Sequence, residues 1–488
     1  MATQPVGDTS FFGHPRGLST LFFTEMWERF SYYGMRAILL LFMVAQAENG
    51  GLGMDKTSAG AVYAIFAASV YLLGLPGGWV ADRIIGQRKA VLYGGIVIAL
   101  GNALLAAPLT WTFYLGLGLI CVGTGLLKTN ASTMVGSLYA PGDNRRDAGF
   151  SIYYMGINLG ALLAPLAIGY VGQTISWRLA FLLVTVGMTA GLIQYVLTQR
   201  HLGDAGLRPA APPDAGVKRQ LWGGGAVLLG LPLALGTAQA TGATAFSAAA
   251  IADGFSILLV TCFLGIFGAL WAACKEKQER RNIAVIFCLF LASALFWSSF
   301  EQAGTTLNLF ADEKTRNEVF GWVYPSSWFQ SMNSIWLILL APVFSMLWIK
   351  MGNREPSVPA KFALGLLFVG LGFLALVPPA GSADAGFLVG PGWLTLTYLL
   401  HTIGELCLSP VGLSAMTKLA PARFGGVIMG VFFMSISTGN YIGGRLAGFY
   451  ESMKLADLFL YVAFFGIGAA ALLGIFVKPL RGLMGEVK

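Results

Sequence analysis

Charge is scarce in this 488-residue chain. Asp, Glu, Lys and Arg together make up 11% of it, less than half their usual share in a soluble domain. With 56% hydrophobic residues beside them, so few charges cannot cover a globule with polar groups, and a water-soluble fold is excluded. Histidine is scarcer still, at three residues. The five cysteines, Cys121, Cys262, Cys274, Cys288 and Cys407, include no CxxC pair and fall in or at the ends of apolar runs. Neither a zinc site nor a disulfide framework is indicated, and the thiols are expected to act as small buried hydrophobes. Without a His or Cys constellation there is no nucleophile with an oriented base and no metal cluster, so the chain is not expected to be an enzyme, and no cofactor is expected. The net charge of +8 does not point to nucleic acid, because the Lys and Arg residues are strung between apolar runs instead of forming one patch.

What is present is a series of apolar runs of about 20 residues, each long enough to cross roughly 30 Å of hydrocarbon. Six are expected near 18–46, 57–81, 89–108, 112–138, 147–172 and 177–198. A stretch rich in Pro, Ala and Asp, 199–220, follows as a linker; then come an apolar hairpin near 221–240 and 254–274 and six more runs near 282–310, 326–350, 361–379, 391–418, 424–447 and 456–478. The expected fold is all-α and integral to the membrane, with 14 transmembrane helices in a 6 + 2 + 6 order: an N-terminal bundle 1–198, a linker with two extra helices 199–281 and a C-terminal bundle 282–488. The first run already contains Glu25, Glu28 and Arg29, so it lacks the uninterrupted apolar core of a cleaved signal peptide.

Cytoplasmic loops are enriched in Lys and Arg. With the N-terminus placed inside, 22 of the 31 basic residues fall on inside segments, 5 on outside segments and 4, Arg29, Arg36, Lys128 and Arg445, within spans. A single missed span would invert every later loop, so this bias supports an even count with both termini cytoplasmic.

The first run reads Glu25-Met-Trp-Glu28-Arg29-Phe-Ser-Tyr32-Tyr33-Gly34-Met-Arg36. At about 100° per residue its charged residues and tyrosines occupy an arc of roughly 140°. A charge at the bilayer centre costs about 2.5–3.5 kcal/mol on insertion scales, so this stripe must face protein or water. Lys128, Asn158, Glu301 and Glu405 add intramembrane polar groups from both halves of the chain. Because carboxylates and bases are spread over both halves, they can pair in more than one way, which a gated site requires. His401, one turn before Glu405, is expected to pack or hydrogen-bond, which leaves proton carriage to carboxylates. Protonation of Glu25 and Glu28 then depends on whether Arg29 is engaged elsewhere, for instance by a substrate carboxylate. Tyr33, Tyr71, Tyr154 and Trp297 are candidates for the walls of a pocket. Arg445, near an outer helix end, is expected to be structural.

The loop Gly78-Trp-Val-Ala-Asp82-Arg83 with Gly86-Gln-Arg88-Lys89, echoed weakly by Lys350-Met-Gly352-Asn-Arg354, resembles the signature of the major facilitator superfamily, whose site lies at the midplane between repeated halves. Five further motifs resemble one family within it, the proton-dependent oligopeptide transporters, over nearly the whole chain. They are Glu25-x-x-Glu28-Arg29-Phe30-x-Tyr32-Tyr33-Gly34, Phe150-Ser-Ile-Tyr153-Tyr154-Met-Gly-Ile-Asn158-Leu-Gly160, Phe296-Trp297-x-x-x-Glu301-Gln302, Gln330-x-x-Asn333, and Gly404-Glu405-x-x-Leu408-Ser409-Pro410.

The resemblance implies a cavity open alternately to each side, in a symporter that imports di- and tripeptides with protons. Arg29, Arg36 and Lys128 would hold the peptide carboxylate, and Glu405, Asn158 and Asn333 its ammonium, with Ser409 on the same surface. Glu25, Glu28, Arg29 and Glu301 would couple protons. Arg36 with Glu301 would close the outer side and Lys128 with Glu405 the inner. The two extra helices and the short 380–390 loop fit bacterial members, which implies the cytoplasmic (inner) membrane, with lipid as surroundings and no obligate protein partner. Thr129 departs from the pattern, since relatives commonly have Pro after the Lys. Two competing readings are a same-fold transporter of nitrate, a drug or another small anion, and a peptide-sensing receptor. The first leaves Glu405 without a role; the second lacks a soluble signalling domain.

Overall fold

The computed structural model describes residues 8–140, 143–209, 247–421 and 424–485. The first six long helices are α1 (Gly17–Val44), α2 (Lys56–Leu72), which continues into the short α3 (Gly74–Val80), α4 (Gln87–Leu105), α5 (Thr110–Ser137), α6 (Arg146–Thr174) and α7 (Trp177–Thr198). Next comes α8 (Ala248–Ala273). The second set is α9 (Lys277–Phe300), followed by the short α10 (Thr306–Glu313), then α11 (Gln330–Met351), α12 (Val358–Asp384), α13 (Gly392–Leu419), α14 (Gly425–Leu446) and α15 (Leu455–Leu483). Thirteen long helices therefore stand among the described residues, and the helix expected at 221–240 lies outside them. Twelve spans, α2 running into α3 and α9 into α10, are long and apolar enough to cross a membrane. The thirteenth, α1, carries the four charges of the polar stripe.

Two runs expected as single helices are interrupted. At Leu73 the α2 ladder gives way to α3, where Pro76 supplies no N–H and crowds the preceding turn. At Glu301–Gly304 the chain tightens to a 3-10 turn before α10 resumes. Gly304 is required there: a Cβ would run into the Tyr63 hydroxyl and lie 2.9 Å from Arg36 Nε. The C-terminal bundle also starts earlier than expected. A capping box formed by Glu276 and Glu279 opens α9 at Lys277, so three basic residues assigned to the linker belong to the first turns of that helix.

Because α1 is clasped by α6 and α7, it buries Glu25, Glu28, Arg29, Tyr32 and Arg36. The approach is close: a Cβ on Gly160 of α6 would lie 3.0 Å from the Arg29 side chain. Elsewhere α4 and α5 meet through reciprocal glycines, where a Cβ on Gly94 or Gly123 would stand 2.6 Å from the other's carbonyl, the small-residue packing of membrane helices. The halves meet mainly along α2 against α14 and α6 against α11. Arg445 joins α14 to α8 through Asp253, at 3.0 Å. Cys121, Cys274 and Cys407 are buried, Cys262 and Cys288 partly so, and none of the five forms a disulfide.

Candidate functional site

The polar stripe of α1 carries two separate ionic groups. Nearer the start of the helix, Arg29 Nε lies 2.9 Å from Glu25 Oε1 and 2.6 Å from Glu28 Oε2. The Tyr153 hydroxyl donates to the other oxygen of Glu25, at 2.6 Å. Arg29 is only 2% exposed, and its Nη2 finds no hydrogen-bond partner among the described residues. It is therefore a buried cation with a donor to spare. Two turns on, Arg36 Nε donates to the Tyr63 hydroxyl at 2.8 Å, and Arg36 Nη2 reaches Glu301 Oε2 across the two halves at 2.5 Å.

Lys128, on α5, stands with its ammonium 4.0 Å from the centre of the Tyr71 ring, a cation–π contact. Glu405, on α13 of the other half, accepts from Asn333 Nδ2 of α11 at 2.9 Å. Asn333 also donates to the Thr402 hydroxyl at 3.1 Å. Lys128 and Glu405 form no ion pair with each other among the described residues. Tyr33 bridges the two signs, lying within Coulombic range of Arg29, Arg36, Glu301 and Glu405, and Tyr154 lies within range of Tyr33 and Glu405. Tyr154 is 43% exposed, and Lys128, Tyr33, Tyr71, Asn333 and Ser409 all keep accessible surface.

Further contacts tie the halves together at the end expected to face outside. Lys56 Nζ lies 2.7 Å from Glu313 and 3.0 Å from Glu451, and Gln173 Nε2 donates to Asp312 and to Ser326. At that end ionic contacts join the halves, whereas no ion pair joins Lys128 to Glu405 among the described residues.

Two further expected site residues are buried, as Glu405 is. Asn158 is buried and donates to the Tyr154 carbonyl of its own helix at 2.9 Å. Trp297 is packed edge-on between Phe296 and Phe300, each at 5.3 Å between ring centres, with its indole N–H unpartnered among the described residues. His401 packs against Phe373 and Phe300. Thr129, in the position where Pro was expected, has its hydroxyl 3.4 Å from the Gly125 carbonyl, as donor within its own helix, and α5 continues unbroken through Lys128. Two contributors went unassigned in the sequence, Tyr63 and Tyr153. A tyrosine in an apolar run carries no mark that separates packing from ion-pair support.

Helices long enough to span a bilayer, with opposed charges held between two six-helix halves, define a multi-pass membrane transporter. The family model described as POT family matches residues 88–461, and the chain belongs to that family. It is 44% identical over 452 residues to the uncharacterized transporter YclF of Bacillus subtilis, covering 92% of this chain and 91% of that one. With the peptide transporter YePEPT of Yersinia enterocolitica it shares 38% identity over 505 residues, covering 100% and 98%. The crystal structure of a peptide transporter POT in complex with sulfate superposes with a TM-score of 0.93 at 42% identity, covering 98% of each chain.

Proposed function

We propose that this chain is a proton-coupled symporter that imports di- and tripeptides by alternating access, standing in the inner membrane with both termini cytoplasmic. Membership of the POT family and likeness to proteins named as peptide transporters support the class of substrate. The observation that carries the reading is that Arg29 and Lys128, on the first half, and Glu405 with Asn333, on the second, bear opposite charge with no ion pair between them among the described residues.

A short peptide presents one carboxylate and one ammonium. Arg29, Arg36 and Lys128 take the carboxylate; Glu405, Asn333 and Asn158 take the ammonium, with Ser409 beside them. Both charges are desolvated by the site, so contacts to them carry most of the affinity. Tyr33, Tyr71, Tyr154 and Trp297 form walls for side chains that are not read individually. The anion-transporter alternative is disfavoured, because an acidic Glu405 held towards the gap by Asn333 would repel its cargo.

The lobes 1–198 and 282–488, joined by 199–281, rock about this site. With Arg36 and Glu301 paired and Lys128 and Glu405 apart, the molecule is in its inward-facing state. A proton on Glu301 removes the counter-charge that holds Arg36, and the outer gate opens. Substrate carboxylate on Arg29 releases Glu25 and Glu28 to bind a proton. Pairing of Lys128 with Glu405 closes the inner side in the alternate state.

The test is competition against a labelled dipeptide by the same dipeptide free, N-acetylated or amidated. Either block should weaken competition by tenfold or more, about 1.4 kcal/mol. Equal competition by all three would remove recognition of both ends.

A further inference from the structure

Between the last turns of α8 and the first turns of α9 runs a lateral groove of about 360 Å³. Its lining is wholly apolar: Phe267 and Trp271 from α8, Ile283, Ala284, Phe287 and Cys288 from α9. Trp271 is 49% exposed and Phe287 37%. Directly below it, Lys275, Lys277, Arg280 and Arg281 supply four basic side chains within seven residues, all exposed. None of the four pairs with a carboxylate among the described residues. The acidic neighbours are engaged elsewhere: Glu276 and Glu279 form the capping box, and Glu279 also accepts the Lys275 backbone N–H at 2.8 Å.

The spacing along α9 aligns charge with groove. Seven residues bring a helix back to within about 20° of the same face, so Lys277 lies below Ala284, Arg280 below Phe287 and Arg281 below Cys288. The groove residues on α9 stand 6 to 11 residues past its first residue, or about 9–16 Å at 1.5 Å per residue. Half of a hydrocarbon core is about 15 Å. The groove thus occupies the acyl depth of one leaflet, and the basic cluster its headgroup level. The basic residues belong to the set that places this end in the cytoplasm, where anionic lipids are attracted to basic pockets between helices.

We propose that the groove between α8 and α9 is a binding site for an anionic phospholipid of the inner leaflet. One acyl chain lies against Phe267, Trp271 and Phe287, and Lys277, Arg280 and Arg281 hold the headgroup phosphate. Apolar depth alone would admit any lipid; the unpaired cations on the same helical face select a negative one. The proposal is independent of the identity of the transported substrate.

The experiment is native mass spectrometry of the purified full-length protein with phosphatidylglycerol or phosphatidylcholine of identical chains. The unmodified protein should retain phosphatidylglycerol preferentially. With each basic group near the surface contributing a similar increment of about 1 kcal/mol, Arg280→Gln with Arg281→Gln should lower that preference roughly 30-fold. Ala284→Trp, which fills the groove and keeps every charge, should reduce retention of both lipids. Dipeptide binding by each variant checks that it is folded. Equal retention of the two lipids by the unmodified protein, or an undiminished preference in the double variant, would overturn the proposal. So would ultraviolet crosslinking from p-benzoylphenylalanine at position 287 to residues 210–246 of the same chain in place of lipid.

Discussion

The Arg36 guanidinium meets the Glu301 carboxylate at 2.5 Å, joining α1 to the turn that ends α9. Both side chains are buried, Tyr63 holds the other face of the guanidinium, and Gly304 gives it room. A buried pair of this kind is strongly destabilised when one partner is removed, by about 3–5 kcal/mol. In the proposed cycle, a second conformation avoids that cost by separating the halves.

Glu301→Gln should therefore shift the population towards the outward-open state. Spin labels at Glu48 and Glu318, both exposed at the closed end, report it by pulsed distance measurement. The ratio of long to short distances should rise at least tenfold, which is about 1.4 kcal/mol. An unchanged distribution would mean that the pair is structural and does not gate.

Glu405 has one oxygen held by Asn333 and is proposed to take the peptide ammonium. Glu405→Gln keeps the shape and removes the charge. Binding of free dipeptides should weaken about 30-fold or more, as expected for loss of one partner in a desolvated charge contact, while binding of N-acetylated dipeptides should change little. Isothermal titration of both ligands separates the outcomes, and equal loss would take Glu405 out of the ammonium site.

A pH effect is expected outside the membrane-spanning segments. His14 is buried, and its Nδ1 lies 2.9 Å from the Tyr139 hydroxyl. Burial, and then the positive charge of Arg145, hold its imidazole below the ordinary histidine value, with Asp143 opposing them weakly. A group whose folded value lies below its unfolded one favours the folded arrangement above the unfolded value, near 6.5, and loses that support as pH falls through it. Hydrogen exchange of residues 8–16 should therefore accelerate, beyond the intrinsic pH trend, between pH 7 and pH 5. The increment should vanish in His14→Gln. An identical increment in both proteins would exclude the histidine.

Much of this arrangement was legible before any coordinates, and for one reason. Charged residues in apolar runs are conspicuous, so Glu25, Glu28, Arg29, Arg36, Lys128, Glu301 and Glu405 stand out without knowledge of packing. Their helical spacing also required α1 to turn its stripe away from lipid, and it does. Neutral supporters were hidden. Tyr63 and Tyr153 complete the coordination of Arg36 and Glu25, yet in an apolar run they look like any packing aromatic. The interruption after Phe300 was equally silent, because no proline marks it and the need for Gly304 arises from contact with a distant helix. The engagement of Lys128 by Tyr71 and of Glu405 by Asn333 was silent too; in the proposed cycle it belongs to one conformation, and a sequence encodes more than one.

Coupling of peptide to protons is the central claim, and uptake of a labelled dipeptide by liposomes containing the purified protein tests it most directly. With the interior buffered at neutral pH, an acidic exterior should accelerate uptake and drive accumulation above the external concentration, and a protonophore should abolish the accumulation. Uptake that reaches the same level and rate with and without the gradient would contradict the account.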